Sequence, residues 1–279
     1  MGLRLAALGF TVAALAAVPA AQSAESVSTR FLASREQPGG GFAEQNGTTG
    51  LALTAWGVLA LRAHGVEASA ATREYLVRTE PKTVPELALA TMAREATGAP
   101  TAALVARLRR AIRPSGLIGP TLNATIWSVL ALRQVGEPVP VATKRLLLAR
   151  QARSGGWGWS ASVAPDSNDT AAAIQALRAL GVGGTRIGRG LRFLRRHQNR
   201  DGGFELSDGR GSDSQSTAWA IQAFVAARAA PPRTAFAYLA RMRRPDGSYR
   251  YSARYPAATP VWVTAQVLPA VARKPFPLR

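Results

Sequence analysis

The chain contains no cysteine. That removes the thiolate nucleophile and every metal site that needs a thiolate ligand. Outside the cytoplasm, such a chain has to be stabilised by its core and not by disulfides. Histidine is almost as scarce: His64 and His197 are the only two, and they lie far apart. Each reads as a helix-surface or turn residue, so no metal site and no cofactor are expected. Acidic residues number 16 against 35 basic ones, for a formal charge of +19. Lysine is nearly missing too; apart from Lys82, Lys144 and Lys274, arginine carries the positive charge. The arginines fall in short clusters (Arg107 to Arg110, Arg192 to Arg196, Arg241 to Arg244), with no basic-aromatic strip, zinc-finger spacing or helix-turn-helix signal. Nucleic acid is therefore not an expected partner. The surplus reads as a solvated basic face, with contact to an anionic cell-envelope component as the alternative.

Long apolar runs are also few. The one at Ala6 to Val18 is shorter than the roughly 20 residues of a membrane span. It follows Arg4 and precedes the small residues of Pro19-Ala20-Ala21-Gln22-Ser23-Ala24. This is the order of a secretory signal, cleaved after Ala20 or Ser23; an uncleaved anchor is the alternative. Residues 1–24 are read as that signal, and the mature chain is expected to be secreted or extracytoplasmic, with no membrane span. No lipidation or sorting motif is read in the tail at 273–279.

The composition is 47% hydrophobic and 18% charged, as in a globular chain, and the abundance of alanine favours helix. The body, residues 25–272, repeats. Gln151-Ala-Arg-Ser-Gly-Gly-Trp157, Gln198-Asn-Arg-Asp-Gly-Gly-Phe204 and Arg243-Arg-Pro-Asp-Gly-Ser-Tyr249 align, Gly39-Gly40-Gly41-Phe42 is a fourth copy, and Ile118 closes a weaker fifth. Each turn is followed by a threonine that opens an apolar helix: Thr54, Thr125, Thr170, Thr217 and Thr264. Leu87 takes that place in a degenerate second copy. Apolar residues recur four and seven places on, which is helical spacing. Gly65, Gly98, Gly136 and Gly181 then read as helix C-caps. The unit is helix, glycine-aromatic turn, helix, with a period of roughly 33 to 47 residues. Such pairs must stack to bury their apolar faces, as an open solenoid or a closed ring.

The stretch from Arg189 through Phe193, Leu194, Gln198 and Gly202 to Phe204 resembles the QW motif of squalene and hopene cyclases. Leu146, Leu147, Gln151, Gly155 and Trp157 form a second, partial copy. The chain thus resembles the prenyltransferase and squalene-oxidase repeat family over about 27–272, most strongly over 142–268. That resemblance implies an all-α fold, an α/α toroid of about six helix pairs. Cyclases of this family that protonate an alkene carry Asp-x-Asp-Asp, and the middle aspartate is their acid. Here Asp166 and Asp169 keep the outer places, but Asn168 holds the middle one, and an amide does not donate a proton as an acid does. The zinc of prenyltransferases and lanthipeptide cyclases, and the thioester branch, all need a cysteine that the chain lacks. Toroids that bind a corrinoid without catalysis remain.

On a helical wheel at roughly 100° per residue, the threonine face packs outward and the opposite face points into the ring. That face carries Trp56, Asn123, Trp127, Asn168, Gln175, Gln215, Trp219, Gln222, Trp262 and Gln266. Two readings fit: core tryptophans with amides bridging helices, or a ligand pocket of indole faces and amide donors and acceptors. Asp166, Asp169, Asp213, Ser214 and Ser216 precede or open their helices and read as caps, or as ligand contacts at one mouth.

The leading expectation is an exported, non-catalytic toroid that holds a small polar or amide-rich molecule, corrinoid- or glycan-like. The alternative is a terpenoid cyclase-like enzyme using Asp166 or Asp169. A glycan-cleaving enzyme comes third, because no second carboxylate is placed opposite the first.

Overall fold

The structure is a computed structural model that describes residues 27–256 and 258–278. The expected signal segment 1–24 lies outside the described residues. A helical segment at 27–33, α1, opens the described chain. There follow α2 (Leu51–Ala63), α3 (Ala70–Arg78), α4 (Val84–Ala96), α5 (Ala102–Arg110), α6 (Leu122–Gln134) and α7 (Val141–Ala149). The rest are α8 (Ser167–Ala179), α9 (Thr185–Arg196), α10 (Ser214–Ala226), α11 (Arg233–Met242) and α12 (Pro260–Val271). Extended structure among the described residues is limited to isolated bridges, four of which clip glycine-aromatic turns.

The helix ends follow from local chemistry. Asp166 accepts the Asp169 N–H at 2.8 Å and Asp213 accepts the Ser216 N–H at 2.7 Å, so each removes one orphan donor from a helix start. Thr83 and Glu86 form a reciprocal capping box on α4. Gly65, Gly98, Gly136 and Gly181 all stand in the left-handed region just past a helix, as C-caps do. Arg228 and Arg273 hold the same conformation after α10 and α12.

The even-numbered helices pack in the cyclic order α2, α4, α6, α8, α10, α12, and α12 returns to α2. The odd-numbered helices stand outside, against them. The fold is therefore a closed α/α toroid of six helix pairs, as the repeat and the resemblance lead one to expect.

Three recurring contacts lock each pair to its neighbours. In the first, the turn glycines Gly40, Gly116, Gly155, Gly202 and Gly247 have φ between +83 and +98. A Cβ there would come within 2.0 to 2.6 Å of backbone in the next outer helix, the last glycine meeting Val27 of α1. Only glycine permits both that backbone and that approach. In the second, the amide N–H of the residue ending each turn donates to the threonine hydroxyl of its inner helix. Phe42 to Thr54, Ile118 to Thr125, Trp157 to Thr170, Phe204 to Thr217 and Tyr249 to Thr264 are each 2.9 Å. In the third, the start of an inner helix donates an N–H to the next repeat: Asn123 to the Trp159 carbonyl, Ser167 to Leu206 and Ser214 to Tyr251. At the closure a side chain does this work. Glu44 accepts the Val261 N–H at 3.0 Å and the Trp262 N–H at 2.8 Å, a carboxylate at the positive end of α12.

The second copy departs from the pattern for a structural reason. Where its glycine-aromatic turn would stand, Arg107 of α5 reaches across, donating to Glu80 at 2.7 Å and to the Pro81 carbonyl at 2.8 Å. With no turn N–H to receive, the threonine place is filled by buried Leu87.

Thr170→Val keeps the shape but leaves the buried Trp157 N–H without a partner. Chemical denaturation should show a loss of about 1–3 kcal/mol, with helix content of the remaining folded protein unchanged.

Candidate functional site

The axis of the ring is filled by aromatic rings. Trp56 of α2, Trp127 of α6 and Trp219 of α10 meet edge-to-face, with centroids 5.3, 5.6 and 5.0 Å apart. Edge-to-face packing matches the positive ring edge to a negative face, worth about 0.5–1.5 kcal/mol per pair beyond burial. Trp219 also donates its indole N–H to Gln266 Oε1 at 3.0 Å. On the far side of these indoles lies Phe276, from the C-terminal tail, with centroids 5.8, 6.3 and 6.5 Å from Trp56, Trp127 and Trp219.

The tail runs into the ring at the carboxyl ends of the inner helices. Phe276 N–H donates to Gln175 Oε1 at 2.8 Å, and Gln222 Nε2 donates to the Lys274 carbonyl at 3.1 Å. Leu278 N–H donates to Gln134 Oε1 at 3.1 Å. Of the amides assigned to the ring interior, Gln175, Gln222 and Gln266 thus serve the protein's own tail and its own indole. A polar or amide-rich ligand would have to compete with these bonds. The expectation that these amides face a ligand is corrected for Gln175 and Gln222, which bond the tail instead, and the space that remains is mainly apolar.

That space is a cavity of about 470 Å³ at the mouth formed by the amino ends of the inner helices, within the usual range for small-molecule sites. Its floor is Trp56, Trp127 and Trp219, and its walls include Ala52, Leu89, Ala172, Leu206, Trp159 and Trp262. Asn123, Asp166, Asn168, Asp169, Gln215 and Gln266 also line it. Eight of the ten residues expected to bind a ligand are therefore brought to one pocket, together with both aspartates. Gln175 and Gln222 are the two that are not. Sequence reasoning missed Pro85, Glu86 and Leu89, which come from the degenerate second copy, and Phe276, which lies outside the repeat. It also missed Trp159 and Leu206. These stand two residues past their turn aromatics, and repeat phase was the signal available for them.

The two aspartates divide their roles. Asp166 is half-buried and caps α8. Asp169 turns inward, is 4% exposed, and accepts a hydrogen bond from Asn123 Nδ2 at 2.6 Å. Burial raises its pKa from 3.8 to about 8, and the nearby Asp166 charge adds to the rise; the Asn123 bond opposes it. A carboxyl in this state is protonated at neutral pH and is a hydrogen-bond and proton donor. Asn168 is half-buried beside it. Among the described residues, no group of three or more His, Asp or Glu side chains is placed to hold a metal ion, and no helix is long and apolar enough to cross a membrane.

No sequence-family profile and no curated protein matches the chain. Solved structures do. A variant of the type II terpene cyclase MstE from Scytonema, in complex with geranylgeranyl dihydroxybenzoate, superposes with a TM-score of 0.67 at 15% identity, covering 91% of this chain and 97% of that one. Protein geranylgeranyltransferase-I of Candida albicans gives 0.62 at 12% identity, covering 88% and 89%. ent-Copalyl diphosphate synthase from Streptomyces platensis gives 0.57 at 19% identity, covering 80% of this chain and 50% of that one. At these identities the likeness is one of fold. The chain has the α/α toroid of terpenoid cyclases and protein prenyltransferases.

The raised pKa of Asp169 has a thermodynamic consequence. The unfolded chain releases this proton near 3.8, whereas the folded one holds it to about 8, so stability falls as pH rises across that window and levels off above it. Asp213, raised to about 6 mainly by burial, adds a decline at the lower end. Asp169→Asn should flatten the slope between pH 6 and 8 in denaturation curves collected across pH.

Proposed function

We propose that this protein is a small proton-initiated cyclase acting on a hydrophobic, alkene-bearing chain of the isoprenoid class, with Asp169 as the acid. The observation that supports the reading is the placement of one buried carboxylic acid at the rim of an apolar pocket floored by three indoles. It replaces the expectation of a polar ligand: of the six amides expected to bind one, Gln175 and Gln222 bond the tail, Gln266 bonds Trp219 and Asn123 bonds Asp169. The family's usual acid position holds Asn168, so the proposal moves the acid one residue on, to the carboxyl that burial keeps protonated.

The chemistry follows from these groups. Asp169 gives its proton to a terminal alkene carbon, which leaves a carbocation on the substrate and a carboxylate on the protein. Asp166 helps to keep that proton in place until substrate arrives, since its charge, like burial, disfavours the ionised form of Asp169. Successive alkenes attack the cation and close rings, and the indole faces stabilise the moving charge by cation–π attraction. Loss of a proton from carbon ends the sequence, and Asp169 is reprotonated from solvent. The product is an isomer of the substrate, so no cofactor or co-reactant is consumed. The solved neighbours that are bound to, or named for, geranylgeranyl and copalyl compounds suggest prenyl alcohols, prenyl diphosphates and prenylated phenols as first substrates. Export through the segment at 1–24 is part of the same proposal.

A second reading, a toroid that binds such a chain without turning it over, is favoured by Asn168 alone. Incubation with these prenyl compounds, followed by gas chromatography and mass spectrometry, separates the two. The expected result is a cyclised product of unchanged mass, formed at least about 100-fold more slowly by Asp169→Asn with the substrate still bound. The rate should fall as pH rises through about 8. Retention of substrate with no cyclised product from the unaltered protein would leave the binding reading standing in its place.

A further inference from the structure

The pocket's depth is set by a segment that lies outside the repeats. Beyond the indole floor, at the opposite mouth of the ring, a second cavity of about 770 Å³ is lined in part by Pro275, Phe276 and Pro277. Between the two spaces stand the three indoles and, behind them, Phe276, which is 2% exposed. The tail is fastened there through three consecutive inner helices: Gln134 of α6, Gln175 of α8 and Gln222 of α10 each bond its backbone. A backbone held by three separate amides inside a ring carries its side chain to a defined height. The indoles rest on that side chain.

We infer that Phe276 is a specificity-determining residue: it props the tryptophan floor and so fixes the longest hydrophobic chain that the pocket accepts. The inference rests on the part of the proposed function that places an apolar chain in this pocket. Phe276 does not touch the reacting atoms. It acts through Trp56, Trp127 and Trp219, which can move toward the far mouth only if the ring behind them is made smaller. A larger ring in its place pushes them toward Asp169.

The test uses the full chain and two probe sets, n-alkanols of increasing length and prenyl alcohols of increasing length, with uptake read by native mass spectrometry and indole fluorescence. Melting curves identify the variants that fold. Phe276→Ala should admit chains longer than the unaltered protein's limit, with roughly tenfold tighter binding of the first lengths beyond it, as expected for about two newly buried methylenes. Phe276→Trp should shift the limit the other way. Phe276→Leu, a smaller change, should lengthen the limit less than Phe276→Ala and serves if the alanine variant does not fold. One unchanged length limit across folded variants would overturn the inference, because a residue that merely fills the core would lower stability and leave the limit alone. Opposite shifts without any cyclised product would support the length rule while sinking the proposed catalysis. Failure of the unaltered protein to take up any chain would sink both.

Discussion

The structure depends on a hydrogen bond between a turn and a helix that follows it. In five repeats the amide of the residue ending the turn donates to a threonine hydroxyl at 2.9 Å. A tight turn that wedges a large side chain into the core buries at least one N–H that no regular structure can satisfy. The threonine supplies the missing acceptor from one residue type at one register. With the turn held, its glycine can lie against the next outer helix, and each such pair is fixed to its neighbour. Six pairs fixed in this way meet end to end, with Gly247 on Val27 and Glu44 on α12 as the closing contacts.

Closure creates the site as a by-product of the ring. All inner helices run the same way, so their amino ends share a mouth, and the side chains facing inward have nowhere to go but the axis. Large rings on three alternate inner helices, Trp56, Trp127 and Trp219, fill the middle. Leu89, Ala172 and Gln266 on the other three leave space above them. Asp169 is confined between that space and α6, where Asn123 meets it. Its high pKa is therefore a consequence of burial at that position, to which the Asp166 charge adds.

The tail gives the ring a second function besides stacking. A toroid has two mouths, and an apolar lumen open at both ends would let water through. Filling one end with the chain's own Phe276, bonded by amides, leaves a blind pocket in which a carboxylic acid and three indoles are the main features. The basic surplus lies elsewhere, on outer helices, on turns and near the carboxyl ends of inner helices. There, several arginines rest on aromatic faces or on backbone carbonyls, as Arg189 does on those of Ala152 and Arg153.

The amino-acid order alone determined the helix pairs, their number, the glycine-aromatic turns and the threonine register, because each is a local pattern tied to backbone geometry and helical period. It also placed Trp56, Trp127, Trp219, Asn123 and Asn168 on the inward side, since a face repeats every turn, but read Asp169 as a cap or a mouth contact. It misjudged what the inner amides would meet. Gln175 and Gln222 bond a segment about 100 and 52 residues further along, and no periodicity connects a repeat to a chain end outside it. The roles of Asp166 and Asp169, alike in sequence, were likewise decided by the tertiary structure. Only the packed ring removes water from one of the two carboxyls and leaves the other half in it, and desolvation is a property of surroundings that the order of residues does not display.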